Sequence, residues 1–98
     1  MLFNSKVTAS WIIRTKNEEK HLSEVLEMLQ MQTRQDFEII IVDSGSTDKT
    51  LEIIKKFPTK LIQIKPGAFN YSYALNLGIK ESIGQFIGIL SGHSVPIT

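Results

Sequence analysis

The stretch Phe37-Glu38-Ile39-Ile40-Ile41-Val42-Asp43-Ser44-Gly45-Ser46-Thr47-Asp48 decides the fold. Ile39 to Val42 is an unbroken β-branched run, the pattern of a strand covered on both faces, as in a parallel sheet. Asp43 to Asp48 is a turn rich in helix-capping residues, and Ser46 or Thr47 can start the next helix. That helix turns Leu51, Ile54 and Phe57 inward and stops at Pro58, whose ring cannot continue a helix. Strand, polar turn and helix in this order form one unit of an α/β sheet.

The same alternation continues on either side. Upstream, Ala9 to Thr15 (Ala-Ser-Trp-Ile-Ile-Arg-Thr) reads as a short buried strand with Trp11 in the core. Asn17 to Gln32 reads as a helix, because Leu22, Val25, Leu26 and Leu29 fall on one stripe. Asn17 can cap it, with Glu18 and Glu19 at its positive end. His21 falls on its polar side. Downstream, Lys60 to Lys65 alternates apolar and polar residues and reads as a third strand, broken by Pro66-Gly67. A third helix starts at Asn70 or Ser72 and carries Tyr71, Ala74, Leu75 and Gly78 on one side. Ala74 and Gly78 are small enough to bring it close to the sheet. Gly84 ends it, and Gln85 to Leu90 reads as a fourth strand. The pattern β-α-β-α-β-α-β predicts an open, mostly parallel sheet with helices on both faces and strand order 3-2-1-4.

Composition narrows the function classes. The chain has 98 residues, the size of one small domain, and 42% hydrophobic residues. Eleven Lys and Arg stand against ten Asp and Glu, so no basic field suggests nucleic acid. There is no cysteine, which rules out disulfides, thiolate metal sites and a cysteine nucleophile. No apolar run approaches the roughly 18–20 residues that span a bilayer. These features fit a cytoplasmic setting, with any membrane association left to other parts of a parent protein.

Ligands of open parallel sheets bind outside the carboxyl ends of the strands. Three loops are expected there: Thr15 to Glu18, Asp43 to Asp48, and Ser91 to Ser94. Each is rich in short polar side chains.

These residues resemble a known family. Ile12-Ile13-Arg14-Thr15-Lys16-Asn17-Glu18-Glu19 looks like the opening motif of family 2 glycosyltransferases, usually two apolar residues followed by Pro-Thr-Tyr-Asn-Glu. Ile40 to Thr50 looks like the second motif, Val-Val-Asp-Asp-Gly-Ser-Thr-Asp-Gly-Thr. Tyr73-Ala74-Leu75-Asn76-Leu77-Gly78-Ile79 resembles the third, Ala-Arg-Asn-x-Gly-Ile. Gly84-Gln85-Phe86-Ile87 resembles Gly-Asp-Tyr-Ile, which leads to a metal-binding Asp-x-Asp. Four motifs in the correct order cover Ser10 to Pro96. The resemblance implies a GT-A fold that binds a nucleoside-diphosphate sugar and passes its sugar, with inversion, to a polysaccharide, lipid-linked or other glycan acceptor. It places Asp43 on the base and Thr15, Asn17 and Glu18 in the nucleoside pocket. Ser44, Asn76 and Ser91 join the nucleotide-sugar site, and backbone N–H groups near Gly45 and Ser46 are helpers at a helix start.

Four departures stand out. Arg14 replaces the usual Pro of the first motif, and Lys16 replaces its aromatic residue. Leu75 replaces the Arg of the third, removing a phosphate-side cation. Ser91-Gly92-His93 replaces Asp-x-Asp; His93 and Pro96 match a Ser-x-His-x-x-Pro variant. The cofactor implied is Mn²⁺ or Mg²⁺ on the donor diphosphate, with His93 as metal ligand. A ring nitrogen suits Mn²⁺ better than Mg²⁺. Alternatively, a protonated His93 hydrogen-bonds the diphosphate itself. Lys16 is a further candidate for stabilising the leaving group.

Plainer readings stay open beside these. Asp43 could serve as a helix cap, Asn17 and Glu18 as ordinary helix-start residues, and His93 as a surface residue. A dinucleotide-binding fold is poorly supported, because Thr15-Lys16-Asn17-Glu18-Glu19-Lys20 has no glycine where a Gly-x-Gly-x-x-Gly turn belongs. A non-enzymatic phosphoacceptor module, which would take a phosphoryl group on Asp43, would need an acidic pair near the first strand, where Glu18 and Glu19 fit helix entry better. The last strand, Phe86-Ile87-Gly88-Ile89-Leu90, is uncharged and would lie open at a sheet edge. The expectation is therefore a single domain over 1–98, the donor-binding front of a longer enzyme and inactive alone. Its acceptor site and catalytic base would lie elsewhere, and the open strand would be covered by a following segment or by a homodimer partner.

Overall fold

The computed structural model describes residues 7–32, 36–65, 71–84 and 86–91. The elements run β1 (Ala9–Thr15), α1 (Leu22–Gln30), β2 (Phe37–Asp43), α2 (Thr50–Ile54), β3 (Lys60–Gln63), α3 (Tyr71–Glu81) and β4 (Phe86–Ser91). All strand pairs are parallel and the sheet order is β3-β2-β1-β4, the order expected from the alternation.

Successive strand residues face opposite sides of a sheet, so Ile12 and Ile13 serve different layers. Ile13 packs with Ile39, Ile41 and Ile54 and with the α1 stripe Leu22, Val25, Leu26 and Leu29. Ile12 packs with Val42 and Ala74 of α3, with Leu75 at the margin. Each fully buried aliphatic side chain of this kind contributes roughly 1.5–3 kcal/mol. The close approach of α3 depends on Gly78: a Cβ there would lie 2.6 Å from Ile12 Cγ2. Trp11 is half-buried against the larger cluster, and its ring lies on Gly88, where a Cβ would come within 2.4 Å of Cζ3.

Two helices differ from expectation. The α1 helix begins at Leu22 because Asn17 has φ 53°, a left-handed conformation that cannot belong to a right-handed helix. A single turn precedes it, with the Leu22 N–H donating to the Glu18 carbonyl at 2.9 Å. His21 sits at the N-cap without a side-chain bond, so Asn17 is not the cap of α1. The α2 helix has only five residues. It tightens at its end, where the Lys56 and Phe57 N–H groups donate to the Ile53 and Ile54 carbonyls.

At the amino end of the sheet, Ser10 and Glu38 are direct partners in the β1–β2 register. Ser10 Oγ donates to Glu38 Oε2 at 2.6 Å, and the Ile83 N–H donates to the same oxygen at 2.7 Å. The Gly84 N–H donates to Ser10 Oγ at 2.9 Å, and Lys60 Nζ lies 3.0 Å from Glu38 Oε1. Burial opposes ionisation of Glu38, but Ser10, the Ile83 N–H and Lys60 outweigh it and hold its carboxyl below the usual range. This node ties the α3–β4 junction to β1 and β2. Gly84 permits the contact, since a Cβ there would lie 2.6 Å from the Ala9 carbonyl carbon.

The β4 strand borders only β1 and forms one edge of the sheet among the described residues. Phe86, Ile87 and Ile89 are exposed there, as are Ile79 and Ile83 nearby in sequence. No helix among the described residues is long and apolar enough to cross a membrane.

Candidate functional site

Register places Thr15 opposite Asp43 and Arg14 opposite Ser91, so β1, β2 and β4 end together at the carboxyl rim. Thr15 Oγ1 donates to Asp43 Oδ1 at 2.6 Å, and Ser46 Oγ donates to the same oxygen at 2.5 Å. The N–H groups of Gly45 and Ser46 donate to Asp43 Oδ2 at 3.1 and 2.9 Å. A carboxylate offers about four lone-pair sites, so this one is fully used within the chain. Asp43 is accordingly only 1% exposed. Gly45 turns the chain here with φ 89°, a conformation glycine adopts without penalty.

The first two loops interlock. The Ser44 N–H donates to the Thr15 carbonyl at 3.1 Å, and the Asn17 N–H donates to Ser46 Oγ at 2.9 Å. Asn17 Oδ1 accepts the Thr47 N–H at 2.7 Å and the Asp48 N–H at 3.3 Å. The Glu18 N–H donates to Thr50 Oγ1 at 2.8 Å, the Glu19 N–H to Asp48 Oδ2 at 3.3 Å, and the Lys49 N–H to Glu19 Oε1 at 3.1 Å. Asp48 Oδ1 accepts both the N–H and the hydroxyl of Thr50. Burial opposes ionisation of Asp48, but the Thr50 and Glu19 hydrogen bonds outweigh it and hold its carboxyl below the usual range.

A cavity of about 100 Å³ opens at this rim, lined by Arg14, Thr15, Lys16, Glu18 and Ser44. Pockets that enclose whole drug-sized ligands hold roughly 300–1,000 Å³, so this one takes a ring or a phosphate group at most. A second cavity, about 240 Å³ and lined by Thr8, Ala9, Trp11, Gln32, Asp36, Phe37 and Phe86, contains residues from the opening of β1, β2 and β4.

The structure thus brings Thr15, Glu18 and Ser44 to the cavity, whereas Asn17, Asp43, Gly45 and Ser46 do not line it and instead hold the loops. The expected N–H helpers at Gly45 and Ser46 are already occupied by Asp43. Asn76 is exposed on α3 and does not line the cavity. Ser91 ends β4 beside Arg14, and His93 lies outside the described residues. Among the described residues no group of three His, Cys, Asp or Glu could hold a metal ion. Sequence reasoning missed the part played by Glu19, Asp48 and Thr50. The Asp48-x-Thr50 spacing carried the signal for one of these contacts, since Asp commonly accepts from the backbone two residues on.

Comparison with known proteins agrees with this architecture. Residues 10–97 match the family model described as glycosyl transferase family 2. The chain is 39% identical over 94 residues to a dolichyl N-acetyl-alpha-D-glucosaminyl phosphate 3-beta-D-2,3-diacetamido-2,3-dideoxy-beta-D-glucuronosyltransferase of Methanococcus voltae, covering 89% of this chain and 29% of that protein. It is 33% identical over 84 residues to the poly(ribitol-phosphate) beta-N-acetylglucosaminyltransferase TarS of Staphylococcus aureus, covering 80% of this chain and 15% of that one. The crystal structure of S. aureus TarS 1-349 superposes with a TM-score of 0.84 at 28% identity, over 91% of this chain and 28% of that one. Its complex with UDP-GlcNAc gives 0.82 at 29% identity, over 89% of this chain and 27% of that one. The chain spans less than a third of the length of these relatives. With the motifs, the sheet order and the family match in agreement, the chain belongs to glycosyl transferase family 2.

Proposed function

We propose that this chain is the donor-binding portion of a glycosyltransferase that takes a sugar from a nucleoside-diphosphate sugar. The observation that carries the reading is the meeting of the first two polar loops around one cavity at the carboxyl rim of a parallel sheet. Thr15, Glu18 and Ser44 face the ligand, while Asn17, Asp43, Gly45 and Ser46 fix the loops that present them. Ser91 extends the same rim from β4. The sugar passes to a glycan acceptor, polysaccharide or lipid-linked, with inversion. The acceptor site and catalytic base lie outside this chain, so the chain alone binds nucleotide weakly and gives no turnover. Calorimetry with several nucleoside diphosphates tests the reading. Saturable binding of at least one supports it, and efficient sugar transfer by the 98 residues alone would contradict it.

A divalent cation on the donor diphosphate belongs to the same proposal, with His93 as its protein ligand. The described rim does not fit a hard cation by itself. Mg²⁺ and Mn²⁺ favour several oxygen ligands, whereas the Asp43 oxygens already accept four donors and, among the described residues, Glu18 is the only carboxylate that lines the cavity. The apolar outer strand supports self-association through β4, because Phe86, Ile87 and Ile89 remain exposed on it. Sedimentation should then show a dimer that Ile87→Lys converts to monomer; a monomer at all concentrations refutes that part.

A further inference from the structure

The turn that should attract a ligand's phosphates has no N–H to give them. The N–H groups of Gly45 and Ser46 go to Asp43, those of Thr47 and Asp48 to Asn17, that of Lys49 to Glu19, and that of Thr50 to Asp48. A helix start binds anions through such groups when they point outward and unpaired. Here six consecutive donors are turned to side-chain oxygens of the chain itself. Among the described residues, positive charge at the cavity therefore comes from side chains, and Arg14 and Lys16 are the cationic ones that line it.

Position supports this. Arg14 alternates with Ile12 along β1 and shares its face of the sheet, the face that α3 covers. The α3 residue Leu75 packs at the margin of that same layer and brings no charge. Lys16 follows at the loop and is exposed. Among the described residues Glu18 is the one acidic residue lining the cavity, so that part of the lining keeps an excess of one positive charge.

We propose that Arg14 and Lys16 form the phosphate subsite of this cavity, holding the anionic part of the nucleotide by charge-assisted hydrogen bonds. The assignment rests on the nucleotide-binding reading above, and it locates the anion on side chains at the end of β1 and in the loop after it, and not on the amides of the second loop.

The test uses the 98-residue chain with inorganic pyrophosphate, UDP and uridine as probes, titrated at low and at high salt. Arg14→Gln, Lys16→Gln and their combination are compared with the charge-keeping pair Arg14→Lys and Lys16→Arg. Pyrophosphate and UDP should bind the unmodified chain with affinity that falls as salt rises. The double glutamine variant should weaken both at least tenfold and flatten the salt dependence, while uridine binding and the melting temperature stay unchanged. The charge-keeping pair should retain most of the affinity. Unchanged pyrophosphate binding in the double glutamine variant would overturn the assignment, as would loss of uridine binding equal to that of UDP. Absence of pyrophosphate binding by the unmodified chain would overturn it too. Salt-sensitive pyrophosphate binding without any preference for UDP would instead uphold the subsite and refute the nucleotide reading.

Discussion

The two ends of the β1–β2 pair use the same device for different ends. At the amino end Ser10 gives its hydroxyl to Glu38; at the carboxyl end Thr15 gives its hydroxyl to Asp43. Both pairs are direct register partners on neighbouring strands. They differ in what completes them. Glu38 is also matched by the Lys60 ammonium and by the N–H of the α3–β4 junction. Asp43 accepts from neutral hydroxyls and amides of its own loop and of Thr15. Breaking the first set leaves an ion without its partner, so that end acts as an anchor. Losing the second set would leave hydroxyls and amides unpaired, neutral donors that join the two loops beside the cavity.

Asp43→Ala is the strongest way to break the contrast. It removes the acceptor of two partly buried N–H groups and two hydroxyls, and an unsatisfied buried donor costs about 1–3 kcal/mol. A loss of about 3 kcal/mol is expected, read as a fall in the urea midpoint. A loss below about 1 kcal/mol would mean the loops hold without the carboxylate. Gly84→Ala comes next, because the added methyl meets backbone atoms of Ala9 and Ser10 that cannot move aside cheaply. Overpacking of this kind costs about 1–3 kcal/mol, and thermal melting measures it.

Glu38→Gln keeps the shape and removes the charge. Lys60 is half exposed, so solvent screens the pair and the loss should be about 1 kcal/mol at neutral pH. Its sign with pH follows from the lowered carboxyl. The stabilisation is complete above the ordinary value of 4.5 and disappears as pH falls through the lower folded-state value. The gap in melting temperature between the unmodified chain and Glu38→Gln should therefore close in acid. Asp48 shifts in the same direction but is present in both proteins and cancels in the difference. Thr15→Val is the smallest change: Ser46 still donates to the same Asp43 oxygen, so about 1 kcal/mol is expected. A larger loss than for Glu38→Gln would reverse the ranking of the two ends.

The sheet was legible in the sequence because it depends on local pattern. The run Ile39 to Val42, the stripe Leu22, Val25, Leu26 and Leu29, and the small pair Ala74 and Gly78 each state which face they bury. The site was legible in part. Thr15, Glu18 and Ser44 reach the cavity as residues of the expected loops. Asn17 misled as a cap for α1, since its left-handed backbone sends its side chain to the next loop, thirty residues away in sequence. The Ser10–Glu38 node stayed hidden for a related reason. Its partners are 28 residues apart, and only the register of two parallel strands brings them together. No periodicity within a single element encodes such a contact.

Trp11 is the chain's single tryptophan, and its indole rests on Gly88 of the edge strand. Thr15 lies four residues further along β1, about 13 Å away at the usual strand rise. Its emission is therefore an internal gauge of whether β4 stays docked on β1. A nucleotide held at the rim should leave that signal almost still, whereas peeling of the outer strand should redden it. One optical measurement can thus watch fraying of the sheet separately from occupancy of the cavity.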